Sequence, residues 1–339
     1  MELLVLGGTS FAGRHVVEQA LLAGHGVTTF NRGRTNPELF PDVRSLHGDR
    51  ASGDYAALDG VGPFDAVVDM CAYVPRSVRE AIDALGPNAL DGPYILISSV
   101  SAYAEPQAQV DGDGFTEESP LAAMPEGVDP DTEDVTGETY GPLKVLTEQA
   151  AEKHLDGGVM IIRPGLIVGP HDPTDRFTYW VRRMADGGEV LAPEGPDVAR
   201  TQVIDACDMA RWIVVSAAAG RVGTFNAVAP PVPLSAVLEA APGNADVTWA
   251  PWEFLEAQGV QPWTDLPAWV PAPMAALLLA DGSKAAAVGL ETRPIEAVVA
   301  DLAAWDRDRP QEPLRAGMTR EREAELLRML RAEGRTPGP

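Results

Sequence analysis

Residues 4–16 read LVLGGTSFAGRHV: an apolar run, a glycine-bearing turn, and the opening of a helical pattern. Strand, turn and helix in that order make the first step of a parallel α/β unit. Gly7 and Gly13 stand at the two ends of a G-x-x-x-x-x-G frame. Gly7 permits a tight turn, and Gly13 lets the helix pack close to the sheet. A helix that starts at such a turn presents free N–H groups and a positive dipole end, the chemistry that holds a pyrophosphate. Thr9, Ser10 and Phe11 fill the turn. Ser10 stands where a middle glycine is common, and its hydroxyl is able to donate to phosphate.

The alternation continues outward from this unit. Strands are expected at 3–6, 27–30, 43–46, 66–68, 94–97 and 159–162, and helices at 14–23 (ended by Gly24), 76–85 (after Pro75) and 143–155. Such alternation predicts an α/β fold, a doubly wound parallel Rossmann sheet. Past Pro170 the pattern loosens. Helices are expected at 175–185, 207–219, 283–289, 295–305 and 320–332 (the last capped by Thr319), and strands at 201–205 and 224–228. Residues 230–282 are rich in Pro and Trp and suggest only short helices. The expected division is a cofactor domain at 1–170 plus 201–228, and a smaller, mainly C-terminal α/β substrate domain at 171–200 plus 229–339. Residues 104–139 contain no Lys or Arg and read either as a solvated loop or as a lid.

The chain has 339 residues, is 45% hydrophobic, and carries a formal net charge of −24. So acidic a surface repels phosphodiester backbones and argues against nucleic acid as a partner. Two cysteines, Cys71 and Cys207, and five scattered histidines give neither a disulfide framework nor a metal site. No apolar run is long enough to span a bilayer, and no basic leader opens the chain, so a cytoplasmic protein without a membrane partner is expected.

The second strand ends in Phe30-Asn31-Arg32-Gly33-Arg34. An NAD site usually places Asp or Glu there for the ribose hydroxyls. Asn31 is neutral instead, and Arg32 and Arg34 supply guanidinium groups suited to a 2′-phosphate, with Arg14 able to converge on the same pocket. NADP(H) is therefore expected over NAD. Asp49, after the third strand, is placed to accept from the adenine amino group.

Tyr140-Gly141-Pro142-Leu143-Lys144 opens a helix, and the i,i+4 spacing puts Tyr140 and Lys144 on one side. A free phenol titrates near ~10, and a neighbouring ammonium lowers that value toward useful acid–base chemistry. Lys144 is also able to bond the nicotinamide ribose. At the C-terminal end of a core strand lies ISSVSAY, residues 97–103. Ser99, or in second place Ser101, is expected to hold a substrate oxygen there. Tyr73, His171, Phe177, Trp180 and Arg200 are further candidate substrate contacts.

In order, GGTSFAG (7–13), FNRG (30–33), ISSVSAY (97–103), YGPLK (140–144) and RPGLIVGP (163–170) resemble the short-chain dehydrogenase/reductase superfamily. The closer similarity is to its extended or atypical members, the NAD-dependent epimerase/dehydratase family. QVIDACDMA (202–210), GTFNAVAP (223–230) and LETRPIEAVVADLAAW (290–305) extend the resemblance over nearly the whole chain. It implies a Ser99–Tyr140–Lys144 catalytic set, hydride transfer at nicotinamide C4, and a backbone at Arg163-Pro164-Gly165 that borders the nicotinamide. Two departures matter. Val100-Ser101 follows Ser99 where dehydratases of the superfamily carry an Asp-Glu pair, and Arg200 is one position out of step with the pyrophosphate-binding arginine of the epimerases.

The function expected is NADP(H)-dependent oxidoreduction of a ketone or secondary alcohol on a small polar metabolite, by a chain that pairs as a homodimer. The alternatives are a nucleoside-diphosphate-sugar epimerase with tightly held NAD, and a non-catalytic Rossmann regulator or RNA-binding protein.

Overall fold

The computed structural model describes residues 1–104, 114–272, 274–275 and 279–333. The strands in chain order are β1 (Glu2–Leu6), β2 (Gly26–Asn31), β3 (Arg44–His47), β4 (Ala66–Asp69), β5 (Tyr94–Ile97), β6 (Val159–Pro164), β7 (Leu166–Val168), β8 (Glu189–Pro193), β9 (Arg200–Thr201), β10 (Val203–Asp205), β11 (Gly223–Ala227), β12 (Val232–Pro233) and β13 (Asp246–Ala250). The helices are α1 (Phe11–Leu22), α2 (Pro75–Leu85), α3 (Tyr140–Leu155), α4 (Arg176–Ala185), α5 (Ala206–Ala218), α6 (Leu234–Ala240), α7 (Trp252–Ala257), α8 (Ser283–Ala287), α9 (Ile295–Asp308) and α10 (Arg320–Ala332). Among them, no helix is long and apolar enough to cross a membrane.

The chain divides into two compact units: Met1–Ile167 with Ala206–Val228 and Ala280–Glu291, and Val168–Asp205 with Ala229–Leu279 and Thr292–Pro339. The first holds a seven-stranded sheet in the order β11-β6-β5-β4-β1-β2-β3. Every neighbouring pair in it is parallel. This is the doubly wound Rossmann arrangement expected from the alternation. The strand order reverses between β1 and β4, and the crevice at their C-terminal ends is where such sheets bind ligands.

Helices on both faces explain why the inner strands are continuous apolar runs rather than alternating ones. Leu3, Leu4, Val5 and Leu6 have no exposed surface at all. Helix α2 shows the local rules at work. Pro75 starts it where a missing N–H costs nothing, Pro75, Val78, Ala81 and Leu85 turn inward at helical spacing, and Gly86 ends it at φ 73°.

Segment 280–291, expected in the smaller domain, belongs to the first unit. Helix α8 packs on β11, and the Trp212 indole donates to the Val288 carbonyl at 3.4 Å. In the second unit, Glu189–Pro193 and Asp246–Ala250 form a parallel pair, the latter inside the stretch 230–282 expected to hold only short helices. The expected strand at 201–205 is broken at Gln202, whose side chain donates to the Ala229 carbonyl at 2.9 Å. Thr319 caps α10 as expected, its hydroxyl accepting from the Arg322 N–H at 3.3 Å.

Candidate active site

The turn after β1 sits at the sheet's switch point. Gly7 and Gly8 adopt φ 107° and 99°, backbone that side-chain-bearing residues rarely enter. The Gly7 N–H donates to the Phe30 carbonyl at 2.9 Å, which ties the turn to β2. A Cβ on Gly13 would lie 2.8 Å from the Gly8 amide nitrogen. The third glycine therefore lets α1 press against the turn itself, rather than simply against the sheet. Helix α1 begins at Phe11, earlier than its apolar pattern suggested, with Ser10 as N-cap and no side-chain capping bond. A bare turn backed by a helix N-terminus is a cradle that fits a dinucleotide pyrophosphate. Asn36 braces it from the loop after β2, donating to the Thr9 carbonyl at 2.9 Å.

After β2, the Asn31 side chain accepts from the Gly33 N–H at 2.7 Å and so shapes the turn that carries Arg32 and Arg34. Both arginines are exposed. Arg34 lies a loose 3.9 Å from Asp49, whose carboxylate also accepts from the Ala51 N–H at 3.1 Å. Arg14 does not stand free for the same pocket: its guanidinium donates to Glu18 at 2.7 Å along α1.

Next to Asp49 lies a residue that sequence reasoning passed over. Arg50 makes a two-pronged bond to Asp69, at 2.6 and 2.9 Å, and reaches the Ser77 carbonyl at 2.9 Å. Asp69, fully buried at the end of β4, also accepts from the Tyr94 hydroxyl at 2.7 Å. Burial pushes its carboxyl up, but Arg50 and Tyr94 outweigh that and hold it below its ordinary value.

Lys144 lies on α3, only 3% exposed. Its ammonium donates to the Ala72 carbonyl at 2.7 Å and the Ile97 carbonyl at 2.9 Å, which fixes it at the C-terminal ends of β4 and β5. Burial pulls its pKa down to about 8, against the pull of Asp69, Cys71 and Glu148 in the other direction. The Tyr73 ring centroid is 4.9 Å from the ammonium and the Tyr140 centroid 5.8 Å. Ser99 is buried just past β5, where its hydroxyl oxygen accepts from the Ser101 N–H at 3.1 Å. That bond leaves the Ser99 proton to offer elsewhere. Ser101 itself is exposed, and its carbonyl explains Gly141. A Cβ there would fall well inside van der Waals contact of the Ser101 oxygen, so the glycine lets the serine loop and the first turn of α3 meet. Thus Tyr73, Ser99, Ser101, Tyr140 and Lys144 gather at one end of the sheet.

A model of the NAD-dependent epimerase/dehydratase family matches residues 3–227. The chain belongs to that family. Among curated relatives, the human decarboxylating sterol-4-alpha-carboxylate 3-dehydrogenase is 32% identical over 194 residues, 50% of this chain and 45% of that one. The chain thus spans less than half the length of that relative. WbmH of Bordetella bronchiseptica, solved with NAD+, superposes with a TM-score of 0.66 at 17% identity, over 91% of this chain and 98% of its own. UDP-glucose 4-epimerase of Thermus thermophilus, solved with NAD, does so with 0.64 at 16%, over 91% and 100%. At such identities the two structures speak for the fold.

Near Lys144 and Ser99 runs a buried polar chain that the sequence reading missed. Ser98 donates to Glu148, which also receives Arg163 at 2.9 and 2.6 Å. The Arg163 guanidinium lies 4.8 Å over the Tyr103 ring, and the Tyr103 hydroxyl donates to Asn226 at 2.6 Å. The chain links α3, β5, β6 and β11, and Pro164 ends β6 beside Ala227 of β11. The available signal was a Glu four residues after Lys144, and an Arg inside the apolar run VMIIRP.

Four expected substrate contacts lie in the second unit. Phe177 and Trp180 do not serve that role. They are 1% and 0% exposed, and the Trp180 indole donates to the Pro267 carbonyl at 2.6 Å, so both are core. His171, at φ 70°, packs edge-on against Trp305 at 5.3 Å. Arg200 is exposed on β9. Of the acidic segment 104–139, residues 105–113 lie outside the described residues. Within the described part, the Ala104 and Ala122 N–H groups bond the Pro120 and Ala102 carbonyls at 2.9 and 2.8 Å, and Glu133 pairs with Arg76 of α2.

Proposed function

We propose that the protein is an NADP(H)-dependent oxidoreductase that interconverts a secondary alcohol and a ketone on a small polar metabolite. The observation that carries this reading is Lys144: a buried ammonium, anchored by two strand-end carbonyls and lying against Tyr140. A group so placed favours the phenolate and lets Tyr140 take or give a proton near neutral pH. Ser99, its oxygen already fixed by the Ser101 N–H, offers its proton to the substrate oxygen. The Gly7–Gly13 turn would hold the cofactor pyrophosphate, and Arg32 and Arg34 the 2′-phosphate. When bound, the nicotinamide supplies the hydride acceptor or donor. Val100 and Ser101 carry no carboxylate for water elimination, which favours simple oxidoreduction over dehydration.

The test is calorimetry on cofactor-stripped protein with NADPH and NADH, followed by a panel of small polar ketones in which NADPH absorbance is read. Tighter NADPH binding and turnover that falls about 10²- to 10⁴-fold in Tyr140→Phe are expected. NAD that is released only on denaturation would instead favour a sugar-nucleotide epimerase. Unchanged turnover in Tyr140→Phe removes the proposed role of the phenol.

A further inference from the structure

Tyr73 is half exposed, at 50%, and follows β4 at the sheet's C-terminal edge. Burial accounts for only part of this ring's placement, since half of the residue stays exposed. Its hydroxyl takes no hydrogen bond among the described residues, and the contact that stands out is with its face. Lys144 Nζ lies 4.9 Å from the Tyr73 centroid, closer than the 5.8 Å to Tyr140 and well within cation–π range. The neighbouring Ala72 carbonyl accepts from the same ammonium at 2.7 Å, so backbone and ring address it together.

Few charged groups are near enough to do this work. Asp69 and Cys71 face the ammonium from the end of β4, Arg50 from the loop after β3, and Glu148 from its own helix. Asp69 is already bonded to Arg50 and Tyr94, and Glu148 to Arg163 and Ser98. Among the described residues no carboxylate bonds Lys144 directly. Its hydrogen-bond partners there are two neutral carbonyls, and its further stabilisation is shared between the more distant Asp69, Cys71 and Glu148 and the π face of Tyr73.

Resting on the reading of Tyr140 and Lys144 as the proton-handling pair, we propose that Tyr73 is a positioning residue for that pair: its ring keeps the buried ammonium charged and in place beside the phenol. Since the ring and not the hydroxyl acts, Tyr73→Phe should be silent and Tyr73→Leu should not. Without the π face the ammonium is less favoured, so its titration moves to lower pH.

The chain has three lysines, Lys144, Lys153 and Lys284, which makes a [13Cε]lysine NMR titration readable residue by residue, with Lys144→Met as the assignment control. In Tyr73→Leu the Lys144 midpoint should fall by roughly half a pH unit or more. In Tyr73→Phe it should hold, and in Tyr73→Trp, with the strongest π face, it should hold or rise. Lys153 and Lys284 report whether the fold is intact. If Tyr73→Leu disturbs them, the Phe and Trp variants decide between themselves. A midpoint indifferent to the ring, or one that shifts equally in Tyr73→Phe, overturns the proposal. The titration requires neither substrate nor cofactor. A null result in Tyr140→Phe turnover would therefore sink the proposed function while leaving this measurement standing, and the reverse holds as well.

Discussion

Two ends of one sheet treat charge in opposite ways. Lys144, Glu148 and Arg163 are themselves buried, and nearly all of their polar side-chain atoms have a partner within the fold. At the ribose edge after β2, Arg32 and Arg34 are exposed, and the Arg34–Asp49 pair is loose at 3.9 Å. A buried charge must be satisfied by protein, because the cost of leaving it alone is large. An exposed guanidinium is satisfied by water and stays available to a ligand. On the proposed function, the buried cluster would support both fold and chemistry, whereas the exposed edge would contribute to recognition alone.

The sharpest way to break this contrast is Glu148→Gln. It leaves Arg163 in the interior without a counter-charge, and removing one partner of a buried pair costs about 3–5 kcal/mol. The expected outcome is a large fall in the urea midpoint, with turnover falling alongside as Ser98 and its neighbour Ser99 lose their anchor to α3. The double change Glu148→Leu with Arg163→Met should recover much of the stability, because an apolar pair of similar volume is often as stable as the ion pair. A small loss in the single variant would show that water already reaches this chain.

The same contrast governs what could be read from the sequence. The parallel sheet was legible because its strands are short apolar runs separated by helical patterns and glycine stops, as at Leu3–Leu6 and Gly24. The turn and the Tyr140–Lys144 pair were legible because their spacing is local. Glu148, Arg163, Arg50 and Asp69 were not, since their meaning lies in pairs distant along the chain: Arg50 meets Asp69 only after β3 and β4 are both in place. Trp180 was misread for the converse reason. A tryptophan in a segment expected to overhang a cofactor reads as a contact, and only packing reveals that its indole is spent on the Pro267 carbonyl. The β8–β13 pair was hidden by Pro and Trp flanks that mask two five-residue strands.

A second test concerns the cost of burying Lys144. Its folded pKa, about 8, lies below the ordinary lysine value, so the folded state gives up its proton first as pH rises. The unfolded chain then binds more protons, and stability rises with pH across the interval from about 8 to the unfolded value. Below that interval the ammonium is charged in both states and its desolvation penalty is fully present. Between pH ~7.5 and ~9 the cofactor-free protein should gain roughly 1 kcal/mol relative to Lys144→Met. The comparison between the two proteins cancels the groups they share that lie away from Lys144. Parallel pH profiles would mean that Lys144 is solvated in solution and that the buried end of the site is less closed than its geometry implies.

The smallest effect on stability belongs to the ribose edge, and there the contrast is at its cleanest. Arg32→Ala and Arg34→Ala remove exposed charges whose one ion pair among the described residues is the loose Arg34–Asp49 contact, so the urea midpoint should not move measurably. Affinity for NADPH should nevertheless fall about tenfold in each, while affinity for NADH stays level, because a guanidinium–phosphate bond is lost in only one of the two ligands. Arg34 carries the finer question. Its Asp49 neighbour competes weakly with a 2′-phosphate, so Asp49→Asn should tighten NADPH binding slightly and leave NADH binding level if the arginine is the recognising group. An Asp49→Asn variant that loses affinity for both cofactors equally would place the carboxylate at the adenine instead, and would leave recognition of the 2′-phosphate to Arg32.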